Sequence, residues 1–175
     1  PGDDRGVESS LGNFIADLYV WATSNPDYAG TPAQLGLMNP GGLRADLLYG
    51  ADGTMTVRDV ANVQPFANTL VTMTLTGAQL RQVLEQQWQP GEPMRHMGLS
   101  ADFGYTYDPD AALGAHITSM TFQGTPVVDG DAFTLLSDMT MMGEPQVFEF
   151  DMGYSLLLPA SAGRAIRDGE TLTIT

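Results

Sequence analysis

The 175-residue chain carries 21 acidic residues against seven Arg and no Lys, a net charge of −14, and it has no Cys. A surface this acidic repels nucleic-acid backbones and anionic membranes, and a chain without Cys has no disulfide, thiolate–zinc or thiol redox chemistry. With 43% apolar residues and no apolar run long enough to span a membrane, the sequence reads as one folded domain with its own core. It opens on Pro1 rather than Met, which reads as a processed protein or a piece of a longer chain.

Leu11, Phe14, Ile15, Leu18, Tyr19 and Ala22 recur at helical spacing and predict an amphipathic helix over residues 9–24, ended by Asn25-Pro26. Residues 34–38 predict a short buried strand that empties into the turn Asn39-Pro40-Gly41-Gly42. Thr56 is placed to cap a short helix through Val60. Residues 69–75 alternate in period two and predict a strand. Thr76-Gly77 then opens a helix with Leu80, Val83, Leu84 and Trp88 on one face, closed by residues 89–93. Residues 94–101 read as a loop. Strands are predicted over 103–107, 117–122 and 133–137, with turns at Asp108-Pro109-Asp110 and Gln123-Gly124. Residues 161–166 predict a short helix and 171–174 a last strand. Helices alternating with strands early, and strands with hairpin turns later, predict a mixed-sheet α/β or α+β domain.

Four stretches in order carry a family resemblance. They are Arg5-Gly6-Val7-Glu8-Ser9-Ser10-Leu11-Gly12-Asn13, Asn39-Pro40-Gly41-Gly42-Leu43-Arg44, Gln64-Pro65-Phe66-Ala67-Asn68-Thr69-Leu70 and Leu75-Thr76-Gly77-Ala78-Gln79-Leu80. Together they resemble the C-terminal domain of the 5'-nucleotidase family. The resemblance implies a single mixed α/β (α+β) domain over residues 1–175, with a mixed sheet and flanking helices. It implies that Arg5 and Arg44 bind a substrate phosphate, for which a guanidinium fork is well matched. Asn39 adds a neutral donor, and Gly41 and Gly42 let backbone N–H groups approach the anion. Phe66 is similar to one wall of an aromatic clamp on the nucleobase. Met139 falls where the family's second aromatic stands, and Glu144-Pro145-Gln146 replaces most of a Gly-Gly-Asp-Gly run.

The resemblance further implies that hydrolysis belongs to a separate N-terminal metallophosphoesterase domain with a pair of divalent metals. The partners are then a nucleotide or other small phosphorylated substrate and that N-terminal domain, in an extracellular, cell-surface or periplasmic setting. No cofactor is expected in this domain itself. A plainer reading stands beside each residue. Arg5 and Arg44 also suit surface ion pairs, and Phe66 also suits a turn or core. Glu8 and Asn13 read as structural, Asn68 as a turn residue, and Asp108, Asp110, Asp129 and Asp131 as turn acids. His96 and His116 form no metal-ligand spacing with each other or with a carboxylate. The Met139, Met141, Met142 cluster reads either as core filling or as the wall of an apolar pocket. The alternative to nucleotide recognition is a diverged binding or surface-interaction module of the same fold.

Overall fold

The computed structural model describes residues 4–66 and 68–141, and the backbone of 147–149, 158–159 and 171–173. Side chains are described for residues 4–66, 68 and 70–137. The elements run α1 (Ser10–Ser24), β1 (Leu35–Met38), a 3-10 turn (Pro40–Gly42), α2 (Val57–Val63), β2 (Thr69–Thr76), α3 (Gly77–Glu85), β3 (Gly98–Leu99), β4 (Phe103–Tyr107), β5 (Ile117–Phe122), β6 (Thr125–Pro126) and β7 (Ala132–Met141). Short strands β8 (Val147–Glu149), β9 (Leu158–Pro159) and β10 (Thr171–Thr173) follow.

The main sheet has the order β10-β2-β7-β1-β3, with β8 and β9 continuing from β7. It is mixed: β1 runs parallel to β7 and β10 parallel to β2, while β2–β7 and β1–β3 are antiparallel. Strands β4, β5 and β6 form a separate antiparallel sheet. The expected mixed α/β fold with flanking helices is therefore present.

Strand alternation divides the core in two. Leu35, Leu37, Val71, Met73, Leu75, Phe133 and Leu135 face Leu80, Val83 and Leu84 of α3 and the small sheet. On the other face, Met38 and Leu136 meet Ile15, Ala16 and Tyr19 of α1 and Val63 of α2. Thr76 starts α3 by a capping box with Gln79, and Thr56 starts α2 by one with Asp59. Each box satisfies two backbone N–H groups that a helix start leaves open.

Three expectations need correction. The buried face of α1 is Gly12, Ile15, Ala16, Tyr19 and Thr23, while Phe14 and Leu18 are exposed. The helix turns its small residues inward because it lies almost on the strand backbones. A Cβ on Gly36 would stand 2.1 Å from Ala16 O, and one on Gly98 would stand 2.3 Å from Gly12 C. Residues 94–101 are not all loop, since Gly98–Leu99 pairs with β1. α2 extends to Val63 rather than stopping at Val60. The helix expected over 161–166 lies outside the described residues.

His116 has a carboxylate partner that its sequence neighbours do not supply. Glu85, at the end of α3, accepts from the backbone N–H of His116 at 3.0 Å and of Ile117 at 2.6 Å. His116 Nδ1 lies 3.2 Å from Glu85 Oε2, and Trp88 stacks flat on the imidazole at 4.3 Å. One buried carboxylate thus clasps α3 to the start of β5.

Two substitutions test this packing. Gly36→Ala forces α1 off the sheet and is expected to cost at least about 2 kcal/mol in denaturant unfolding, whereas Gly104→Ala, whose added Cβ meets only Thr121 Oγ1 at 3.5 Å, is expected to be near neutral. Glu85→Ala strands two buried N–H donors and the His116 ring, and is expected to cost about 3 kcal/mol in the same measurement.

Candidate functional site

The site is built around the turn that follows β1. Gly42 N–H donates to Asn39 O at 3.2 Å, and Leu43 N–H to Pro40 O at 3.4 Å. The turn then docks on α2, where Arg44 N–H donates to Val63 O at 2.8 Å. Gly42 serves close approach here rather than a left-handed backbone: a Cβ on it would stand 2.7 Å from Asn39 Oδ1 and 2.6 Å from Met38 Cε. Gly41 and Gly42 are both buried.

Arg44 is exposed and folds back over its own turn. Its Nη1 donates to Gly41 O at 3.2 Å, and its Cζ stands 5.8 Å from the centre of the Phe66 ring. That distance is within cation–π range. Phe66 is 42% exposed, so its ring is not a core residue. Two residues that the sequence placed in separate motifs, a guanidinium and an open aromatic face, are in contact. Asn39 lies deeper, at 2% exposure, and its Nδ2 has no hydrogen-bond partner among the described residues.

Arg5 also lies by this turn. It lines a cleft of about 220 Å³ with Ser9, Ser10, Pro40, Leu43 and His96. The first turn of α1 thus opens into the cleft. Ser9 caps it by accepting from Gly12 N–H at 3.1 Å. A more open recess of about 530 Å³ lies beyond Arg5, against Pro93, Met94 and Arg95. Arg5 is held through its backbone, where His96 N–H donates to Arg5 O at 2.7 Å. No hydrogen bond engages its guanidinium among the described residues. Asn13 bridges Glu8 and β3, donating to Glu8 Oε1 at 2.7 Å and accepting from Leu99 N–H at 3.0 Å. That bridge fixes the segment carrying Arg5 and is structural, as expected.

Met139 pairs through its backbone with Thr69, three residues after Phe66. The side chains of Met139 and Met141, and residues 142–146 and 150, lie outside the described set. The sequence motifs single out neither His96 nor Tyr105 for the site. Tyr105 O–H donates to Gln87 Oε1 at 3.0 Å and stands 3.4 Å from His96 Nε2. Nothing in the local sequence marks His96, because its position depends on β3 pairing with β1. Among the described residues, no three His, Asp or Glu side chains are grouped to hold a metal ion.

The family model for the 5'-nucleotidase C-terminal domain matches residues 2–149. The chain belongs to this family. It is similar to the trifunctional nucleotide phosphoesterase protein YfkN of Bacillus subtilis, 43% identical over 47% of this chain and 5% of that protein. It also resembles the cell wall protein Lmo0130 of Listeria monocytogenes, 30% identical over 81% of this chain and 18% of that one. Among solved structures, the 5'-nucleotidase precursor of Thermus thermophilus superposes with a TM-score of 0.62 at 29% identity, over 77% of this chain and 27% of that one. This 5'-nucleotidase-family chain therefore spans a small part of the length of each of these relatives. No described helix is long and apolar enough to cross a membrane.

Burial pushes the Tyr105 phenol up to about 12, and the hydrogen bond to Gln87 only partly opposes this. The neutral form is thus favoured by folding. The stabilisation is present below the ordinary tyrosine value near 10 and is lost as pH rises through about 12. Ultraviolet titration is expected to show one phenol ionising late, and Tyr105→Phe is expected to remove that step.

Proposed function

We propose that this family domain recognises nucleotides for a 5'-nucleotidase-type phosphoesterase. The observation that carries the proposal is the contact of Arg44 with the exposed Phe66 ring. It sets a phosphate-matching fork beside a surface that stacks a base. Arg5, which shares a cleft with Pro40 and Leu43, supplies a second guanidinium that no hydrogen bond engages among the described residues, and Gly41, Gly42 and Asn39 belong to the same turn. The chain as a whole serves as one recognition domain. Hydrolysis falls to an N-terminal metallophosphoesterase domain that carries the divalent metal pair and receives the captured phosphoester. The similarity to a cell wall protein and to nucleotide phosphoesterases supports an extracellular, cell-surface or periplasmic hydrolase acting in nucleotide breakdown.

A second reading is a module that keeps the fold and binds another phosphorylated ligand. Met139 in place of an aromatic, and Glu144-Pro145-Gln146 in place of a glycine-rich run, favour it. Base stacking then rests on Phe66 alone.

Isothermal titration of the 175-residue chain separates the two. AMP and adenosine are both expected to bind. Arg44→Ala is expected to weaken AMP by about 10- to 100-fold and to leave adenosine nearly unchanged, as for loss of a charge-assisted hydrogen bond. Binding of phosphate without adenosine would establish the second reading. Equal AMP affinity in wild type and Arg44→Ala would remove Arg44 from the site.

A further inference from the structure

We propose that the hydroxyl of Tyr19, on the buried face of α1, positions the Phe66 ring through Gln64, and so sets nucleoside affinity without touching the ligand. The inference rests on the reading of Phe66 as the face that stacks a base, and adds the residues that hold it. Phe66 is exposed and belongs to neither core cluster. A stacking face contributes most when it is already held in place, because ordering it at the moment of binding costs entropy. Arg44 touches the ring but is itself exposed, so the anchor has to come from the chain beside Phe66.

Two anchors stand directly before it. Val63 is buried, and its carbonyl accepts from Arg44 N–H at 2.8 Å. Gln64 ends α2, with φ −131° and ψ 78°, and its side chain reaches α1. Gln64 Nε2 donates to Tyr19 Oη at 2.7 Å and lies 3.4 Å from Met38 Sδ. Tyr19 Oη lies 3.3 Å from the same sulfur. A thioether is a weak acceptor, so the bond between amide and phenol is the strong one of the three. Tyr19 is 6% exposed among apolar side chains, where Phe would fill the same space, and a hydroxyl in such a place is there for a polar partner. Pro65 then separates Gln64 from Phe66, and its ring fixes φ near about −65°. The link from the pinned amide to the aromatic residue is therefore short and stiff, and β2 takes up the chain again at Thr69. The Arg44 half of the site hangs on the Val63 carbonyl, the Phe66 half on the Tyr19 hydroxyl.

Isothermal titration with adenosine and with AMP compares wild type, Tyr19→Phe, Gln64→Leu, the double variant and Phe66→Ala. Tyr19→Phe and Gln64→Leu are each expected to weaken adenosine about 3- to 10-fold, a part of what stacking supplies. The double variant is expected to lose no more than either single one, because both changes remove the same bond. The ratio of AMP to adenosine affinity reports the Arg44 half of the site and is expected to hold in both single variants. Adenosine affinity that is unchanged in Tyr19→Phe overturns the proposal. So does a double variant whose loss is the product of the two single losses, or a ratio that falls along with adenosine affinity, since either marks separate or general damage to the fold. Wild type that binds no adenosine, or a Phe66→Ala variant that binds it as wild type does, instead removes the stacking role of Phe66, and the role of Tyr19 falls with it.

Discussion

The rest of the domain depends on how closely α1 lies against the main sheet. Gly12 meets Gly98 and Ala16 meets Gly36 with no room for a further carbon. Helices usually stand about 10 Å from a sheet because side chains fill the gap. Here backbone meets backbone, and larger apolar side chains pack to either side of the contact. Ile15 and Tyr19 reach Met38 and Leu136, and Tyr19 O–H lies 3.3 Å from Met38 Sδ. Dispersion attraction falls steeply with distance, so such a contact holds a narrow range of helix positions. The first turn of α1, and with it Arg5, is fixed relative to the end of β1.

This fixing positions the turn after β1, where the proposed site lies. The turn receives support from three elements: α1 through the packing of Leu43 with Ile15, Ala16 and Tyr19, α2 through the Arg44–Val63 hydrogen bond, and β3 through its pairing with β1. Asn39 forms the floor. Its buried amide nitrogen has no partner among the described residues, and a buried amide left so is costly. Rigid support of this kind suits recognition, because an anion site formed by ordered donors loses little entropy when it binds.

Much of this was legible in the sequence, and the exceptions have physical causes. Helical spacing marked α1 and α3 and period two marked β2, while β1 was read as a short buried run and β4, β5 and β7 as strands between turn signals. Thr76-Gly77 was legible as the start of α3, which the structure completes with a Thr76–Gln79 capping box. The motif resemblance brought Arg44 and Phe66 forward, and they do meet. β3 escaped notice because two residues carry no period, and its Gly98 is there for space rather than for a turn. The inward face of α1 was misassigned because hydrophobicity ranks Phe14 and Leu18 above Gly12 and Ala16, while the packing asks for small residues. The Glu85–His116 clasp joins residues 31 apart, and the His96–Arg5 contact joins a loop to the chain start. Neither leaves a spacing signal. The Met139 region was legible only as a departure from a motif, and its side chains lie outside the described residues.

On the proposed reading, an acidic domain has to concentrate its few positive charges where the anion binds. The five described Arg residues are not equivalent in this respect. Arg81 donates to Ile117 O at 2.7 Å, which ties α3 to β5, and Arg95 lies beside Glu92. Arg58 sits on α2. Arg5 and Arg44 lie by the glycine turn, where Arg44 Nη1 donates to Gly41 O and, among the described residues, no hydrogen bond engages the Arg5 guanidinium. At physiological salt the field of distant carboxylates is screened beyond about 8 Å, so a net charge of −14 does not itself forbid anion capture. What decides is the first few ångströms around the turn. There carboxylates outnumber cations, since Asp4, Glu8 and Asp46 line the cleft beside Arg5. Binding through short, directed hydrogen bonds can prevail over that repulsion, whereas diffuse attraction cannot. The proposed recognition of small phosphoesters thus depends on donor geometry at the turn rather than on net charge.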